Sequence, residues 1–194
     1  MGEIWLIRHS ETEWALTGQH TGHTDIPLTE RGRREAVLLG NRLQGHPFAR
    51  VFTSPLSRAA DTCRLAGFGE IAEEDPDLEE WDYGEYEGKT TAELRQDQPD
   101  WTIWNAPVRG GESAAQVGVR VDRVIARVSG VPGYVALFAH GHVLRILAAR
   151  WIGLPASGGA RLALDTASIS RLGTEHGTPV IVRWNEPGAG DSER

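Results

Sequence analysis

The sequence predicts a layered α/β domain built on a mostly parallel sheet, and three observations carry that expectation. Short apolar runs without alternation recur at residues 4–7, 50–53 and Tyr134–Ala139, as in strands buried on both faces. Segments with helical spacing lie between them. Each run also leads into a cationic or titratable side chain: Arg8 and His9, then Arg58 by way of Ser54 and Pro55, then His140.

Taken in order, residues 4–7 (Ile-Trp-Leu-Ile) form the first strand, and a polar, glycine-containing loop covers 17–28. Thr29 caps a helix in which Ala36, Val37, Leu39 and Leu43 recur at helical spacing, and Gly45, His46 and Pro47 stop it. After strand 50–53, Ser54 reads as an N-cap with Pro55 at the first helical position. Ile71 marks a short strand. Residues 77–88, DLEEWDYGEYEG, combine acids, aromatics and glycines without a period, the pattern of an ordered functional loop. Thr90 or Thr91 opens a helix that ends near Pro99. Trp101, Trp104 and Pro107 lie in a loop or single turn, where each Trp either closes over a pocket or, more commonly for Trp, packs in a core. Helices follow at Ala114–Val128 and, beyond the third strand, at Gly141–Trp151. Late strands at 167–172 and 180–184 flank a turn at His176 and Gly177. One domain over residues 1–186, with a disordered polar tail at 187–194, is expected.

Composition narrows the function. Hydrophobic content of 40% and charged content of 24% are globular values. A net charge of -7 argues against a nucleic-acid or anionic-membrane partner but allows a local basic pocket. Cys63 is the only cysteine, so no intrachain disulfide forms, and it reads as a small core residue. The start of the chain does not resemble a signal peptide, and the apolar stretch 143–154 is interrupted by Arg145 and Arg150. A soluble cytoplasmic protein is expected.

If the three strands are parallel, their carboxyl ends share one rim, where open α/β sheets bind ligands. Arg8, His9, Arg58 and His140 then converge, and helices opening near Pro55 and Gly141 aim backbone N–H groups at the same place. This set suits phosphoryl transfer. Neighbouring arginines keep an imidazole neutral and nucleophilic, and guanidinium forks match the oxygens of the transferring group. His140, if protonated, adds a donor. The leaving oxygen needs an acid, which the loop offers among Glu79, Glu80, Asp82, Glu85 and Glu87.

The run Arg8-His9-Ser10-Glu11-Thr12-Glu13-Trp14 resembles the R-H-G-E-T-x-W signature of the histidine phosphatase superfamily, the phosphoglycerate-mutase-like proteins. The resemblance continues in order through Thr21, Gly22, Asp25 and Pro27 to Thr29, then Ser54 to Ala59 with Thr62, then Leu78 to Glu80 with Tyr83, Gly84, Glu87 and Gly88. Gly111 to Ser113, and His140 with Gly141, complete it. It implies a three-layer α/β sandwich with helices on both faces of the sheet. It also implies that His9 becomes phosphorylated, that Arg8, Arg58 and His140 hold phosphoryl oxygens, that Glu80 is the general acid, and that Thr21, Gly22 and Tyr83 contact substrate. No metal and no cofactor are implied, and His140 with His142 lacks the companions of a metal site.

Two positions depart from the pattern. Ser10 replaces the family glycine, so it is either strained or an added donor. Ala15 replaces a common asparagine, so a phosphate or substrate donor is either lost or supplied by Gln19 or Ser10. The segments after residue 80 are closer to the small phosphatase branch, that of bacterial acid phosphatases and sedoheptulose-bisphosphatase-like enzymes. The expected activity is phosphomonoester hydrolysis through a phosphohistidine on a sugar phosphate or similar small substrate. The rival readings are a cofactor-dependent phosphoglycerate mutase and a non-catalytic phosphate-binding module. The oligomeric state, a homodimer included, is left open.

Overall fold

The computed structural model of the protein describes residues 2–106 and 108–188. Its sheet has six strands: β1 (Ile4–Arg8), β2 (Phe48–Thr53), β3 (Ala72–Glu74), β4 (Tyr134–Ala139), β5 (Ser168–Glu175) and β6 (Thr178–Pro187). They lie in the order β3-β2-β4-β1-β5-β6. Strands β1, β2 and β3 run parallel through β4, while β5 runs against β1 and β6 against β5. Only β5 opposes the common direction, so the sheet is mostly parallel as expected. The β5–β6 turn holds His176 at φ 50 and Gly177 at φ 84, the paired positive angles that suit a tight hairpin.

The continuous apolar runs follow from covering both faces. Ile4, Leu6, Val135 and Leu137 point into one core, with α5 (Ala114–Val128) and α6 (Gly141–Trp151) above them. Trp5, Ile7, Ala136 and Phe138 point the other way, onto Leu39 and Leu43 of α2 (Glu30–Leu43) and Cys63 of α3 (Ser57–Leu65). A strand alternates faces at every residue, so two apolar faces leave no polar position. Burial pushes the Cys63 thiol up to about 12, as befits an inert core residue. No helix among the described residues is long and apolar enough to cross a membrane.

Several local expectations are corrected. A short helix, α1 (Glu13–Thr17), lies between β1 and the expected loop, overlapping it only at Thr17, and is capped by the Thr12 side chain. It buries no residue, so it carries no apolar period to read. Ser54 does not cap α3, which begins at Ser57 behind Leu56, a cap residue without a side-chain bond. The Ser57 N–H and hydroxyl instead donate to Asp25 Oδ1 at 3.0 and 2.9 Å. Ile71 is exposed in a turn, and the strand starts one residue later. Pro187, expected in the tail, ends β6, and the rest of that expectation from 189 onward lies outside the described residues. The helix at 91, α4 (Thr91–Asp97), has a full capping box with Thr90 and Glu93.

Candidate active site

The parallel register brings the three strand ends together. The His9 N–H donates to the Ala139 carbonyl and the Ser54 N–H to the Phe138 carbonyl, both at 2.9 Å. These bonds hook the residues after β1 and β2 onto β4, with His140 next in line. His9 is 5% exposed, and its Nδ1 lies 2.8 Å from the Ser10 carbonyl oxygen. A carbonyl only accepts, so Nδ1 carries the proton and Nε2 keeps its lone pair. Burial, reinforced by the Arg8 and Arg58 charges, holds this imidazole well below the usual histidine range, so it is neutral.

His140 is also neutral, contrary to the charged donor considered from sequence. Arg58 Nε donates to its Nδ1 at 3.1 Å, and a guanidinium has no lone pair to offer in return. The proton therefore sits on Nε2, which lies 2.8 Å from Ser54 Oγ. Burial and then the Arg58 charge disfavour a second proton. The Ser54 hydroxyl is engaged here rather than at a helix cap.

Arg58 is completely buried. Its Nη2 donates to the Thr21 and Gly22 carbonyls at 3.1 and 2.8 Å, and its Nη1 to the Thr24 carbonyl at 3.3 Å. The fork therefore braces the 21–24 loop and is not among the side chains lining the cavity that His9 opens into. Arg8 does line it. Its Nη1 donates to the Leu164 carbonyl at 2.5 Å, while the buried Nε has no partner. The guanidinium lies against the start of α6, where a Cβ on Gly141 would meet its Cζ and Nε at 3.3 Å. An unpaired buried cationic donor is costly alone and is satisfied by an anion.

Glu80 is 5% exposed and lines the same cavity. Three backbone N–H groups donate to it: Trp81 at 3.0 Å and Val143 at 2.9 Å to Oε1, and His142 at 3.0 Å to Oε2. Two of the opening N–H groups of α6, those of His142 and Val143, are thus engaged by Glu80 rather than left free. Oε2 accepts one bond and keeps room for a proton. The loop carrying Glu80 is pinned by Arg120 of α5, which donates to the carbonyls of Asp77, Glu79 and Glu80 at 2.9, 2.6 and 3.0 Å. Arg120 also grips Glu112 with two bonds of 2.9 Å.

The cavity measures about 390 Å³. Of the residues expected to touch substrate, Gln19, Thr21, Tyr83 and Gly141 line it, while Ser10 and Gly22 do not. Ser10 is fully buried with an unpaired hydroxyl and lacks the positive φ that would strain it. Gly22 is required by packing: a Cβ there would lie 2.2 Å from Glu87 Oε1 and 2.7 Å from the Trp81 carbonyl oxygen. Trp101 is core, whereas Trp104 lines the cavity.

Sequence reasoning missed His20, His142 and Arg145. Tyr83 is 1% exposed and its hydroxyl is 2.6 Å from His142 Nδ1. Burial, then the nearby Glu80, raises the phenol well above its usual range, so it keeps its proton and donates. His142, held neutral by burial and the Arg145 charge, then carries its proton on Nε2. Burial pushes His20 down to about 4. The missed signal is helical spacing: Gly141, His142 and Arg145 share one face of α6. Among the described residues no group of three or more His, Cys, Asp or Glu could hold a metal ion.

A neutral buried imidazole with a free Nε2, set beside an arginine whose buried Nε has no partner, at the carboxyl edge of a parallel sheet, defines a phosphoryl-handling α/β protein. The family model for the histidine phosphatase superfamily (branch 1) matches residues 4–187, and the chain belongs to that family. It is a phosphatase, and the phosphohistidine route is general to the superfamily. An acid phosphatase of Mycobacterium tuberculosis is 43% identical over 180 residues, covering 90% of this chain and 87% of the relative. A sedoheptulose 1,7-bisphosphatase of Saccharomyces cerevisiae is 37% identical over 183 residues, covering 77% of this chain and 67% of the relative. A solved structure of a Mycobacterium tuberculosis open reading frame product superposes with a TM-score of 0.90 at 39% identity, covering 96% of this chain and 98% of that one.

Proposed function

We propose that the protein hydrolyses a small phosphomonoester, such as a sugar phosphate, with His9 as the nucleophile. The observation that carries this reading is the His9 tautomer: Nδ1 donates to the Ser10 carbonyl, so Nε2 is the free, unprotonated nitrogen in a cavity lined by Arg8. Nε2 attacks phosphorus as the bond to the leaving oxygen breaks, and Glu80 Oε2 supplies the proton that oxygen takes up. The resulting Glu80 carboxylate then accepts a proton from water as that water attacks the phosphohistidine. Phosphate leaves and both side chains return to their starting states.

Arg8 stabilises the equatorial oxygens as charge spreads over them. Arg58 and His140 act from behind the cavity wall, Arg58 through four hydrogen bonds that hold His140 and the 21–24 loop. Gln19, Thr21, Tyr83 and Gly141 meet the rest of the substrate. A cavity of about 390 Å³ suits a small molecule, and the relatives named acid phosphatase and sedoheptulose bisphosphatase support that class. The same proposal places the enzyme in the cytoplasm, where a thiol such as Cys63 stays reduced.

The test is chemical trapping. Brief exposure to labelled phosphoester, then denaturation at alkaline pH, should leave label on His9 Nε2. His9→Ala should lose turnover by about a thousandfold or more, the scale of removing a nucleophile. A label on His140, or substantial activity in the variant, would overturn the assignment.

A further inference from the structure

His9 Nε2 keeps its lone pair because Nδ1 has an acceptor, the Ser10 carbonyl at 2.8 Å. That acceptor belongs to the next residue, so its direction is set by backbone rotations at His9 and Ser10. A histidine's proton goes to whichever nitrogen faces an acceptor. Released from that contact, the ring takes its proton on Nε2, the form a free neutral histidine side chain prefers. No lone pair is then left there to attack phosphorus. The nucleophile therefore depends on what holds the backbone between His9 and Ser10.

The peptide joining the two residues is clamped at both ends. The His9 carbonyl accepts from the Ala167 N–H at 3.1 Å, and the Ser10 N–H donates to Thr62 Oγ1 at 3.0 Å. Ala167 makes its bond at φ 53, a left-handed angle that an alanine adopts only at a cost. Thr62 is fully buried in α3, and its hydroxyl donates to the Arg58 carbonyl, one helical turn earlier, at 2.7 Å. A backbone N–H only donates, so the Thr62 oxygen accepts from Ser10 and its single proton goes to Arg58. Arg58 Nε meanwhile donates to His140. One turn of α3 thus reaches both imidazoles of the site, His140 through the Arg58 side chain and His9 through Thr62 and Ser10. Thr62 does not line the cavity, so its influence on the reaction passes through His9.

We propose that Thr62 is a positioning residue for the nucleophile: its hydroxyl holds the His9–Ser10 peptide so that the Ser10 carbonyl accepts from His9 Nδ1 and Nε2 stays bare. The inference rests on the hydrolase reading for its kinetic consequence, while the tautomer is read without turnover.

The experiment compares wild type, Thr62→Val and Thr62→Ser in two ways. Nitrogen-15 NMR of the histidine rings near neutral pH reads the tautomer, with the His9 signals assigned by their absence from His9→Ala. Hydrolysis of p-nitrophenyl phosphate reads the consequence. Valine matches threonine in shape but lacks the oxygen, so it leaves the buried Ser10 N–H unpaired. Wild type and Thr62→Ser should show His9 with its proton on Nδ1 and a bare Nε2. Thr62→Val should move the proton to Nε2 in a measurable share of molecules and lower kcat/KM by about tenfold or more, the scale of one buried donor left unpaired. The inhibition constant of inorganic phosphate should stay near the wild-type value in all three, because Arg8 is untouched. Wild-type kcat/KM in Thr62→Val, or a slowed Thr62→Val whose His9 keeps the wild-type tautomer, would overturn the proposal. So would Thr62→Ser failing as badly as Thr62→Val. Should Thr62→Val not fold, Thr62→Ala removes the same oxygen without placing a methyl group there and is read in its place. A wild type that releases nothing from p-nitrophenyl phosphate or other phosphoesters counts against the hydrolase reading alone, and the tautomer comparison still decides the role of Thr62.

Discussion

At the scale of single residues, Glu80 carries the sharpest consequence. An alkoxide is a poor leaving group and needs a proton as its bond to phosphorus breaks, whereas nitrophenolate leaves without one. Glu80→Gln keeps the size of the side chain but has no proton to give. It should slow hydrolysis of alkyl phosphates by about a hundredfold or more, within the usual range for general acid catalysis, and p-nitrophenyl phosphate much less. Equal loss on both substrate types would mean that Glu80 is not the acid. His9 and His140 show why identity alone does not define a role. Two histidines, each at a strand end, take opposite tautomers because one faces a carbonyl and the other a guanidinium.

At the scale of elements, α5 reaches the site through one side chain. Arg120 ties the 77–80 loop to the helix through three carbonyls and through Glu112. Burial works against the Glu112 charge, but the Arg120 bonds prevail and hold its carboxyl below the usual range. The Glu112 carboxylate in turn accepts from the Asp82 N–H at 3.0 Å, and its backbone carbonyl from Trp81 Nε1 at 2.7 Å. Arg120 is therefore a positioning residue for Glu80. Arg120→Met should destabilise the fold by about 2–4 kcal/mol, since it strands a carboxylate and several carbonyls. It should also copy the Glu80→Gln pattern, slowing alkyl phosphates more than p-nitrophenyl phosphate. Equal slowing of both would reduce Arg120 to a structural role. Denaturant melts and the two assays decide it.

At the scale of the whole molecule, the buried imidazoles couple stability to pH. His9, His20, His140 and His142 are all held below the ordinary histidine value, with burial as the largest cause in each. The unfolded chain binds protons at these positions once the pH falls below about 6.5, while the folded chain does not. Unfolding is therefore favoured progressively as pH drops. Stability from these groups is complete above about 7 and is lost on the acid side, by up to about 1.4 kcal/mol per pH unit for each imidazole. The melting temperature should decline between pH 7 and 5, before most carboxylates titrate. His20→Asn should flatten part of that slope, because the His20 imidazole does not gain its proton until about pH 4 in the folded state. A melting temperature that is flat over this range would refute the coupling.

The strand runs, the helix cap at Thr29, a helix start at Thr90 or Thr91, and the placing of His9, Arg8, Arg58 and His140 at the sheet's edge were legible from sequence, because each is written within a few consecutive residues. An apolar run with no polar position requires two covered faces, and a parallel sheet then brings its strand ends to one rim. What tertiary structure decided was who bonds to whom across the chain. Arg58 meets His140 across 82 positions, and Glu80 meets the N–H groups of His142 and Val143 across 62 and 63. Those pairings depend on strand register and on where a loop without periodicity comes to rest. They convert Ser54 from an apparent cap into a partner of His140 and turn Arg58 inward. They also turn Arg145, which in sequence only interrupts an apolar stretch, into a cavity wall. Neither tautomer could be read from sequence, because a histidine's proton goes to whichever nitrogen faces an acceptor, and only the fold supplies that acceptor.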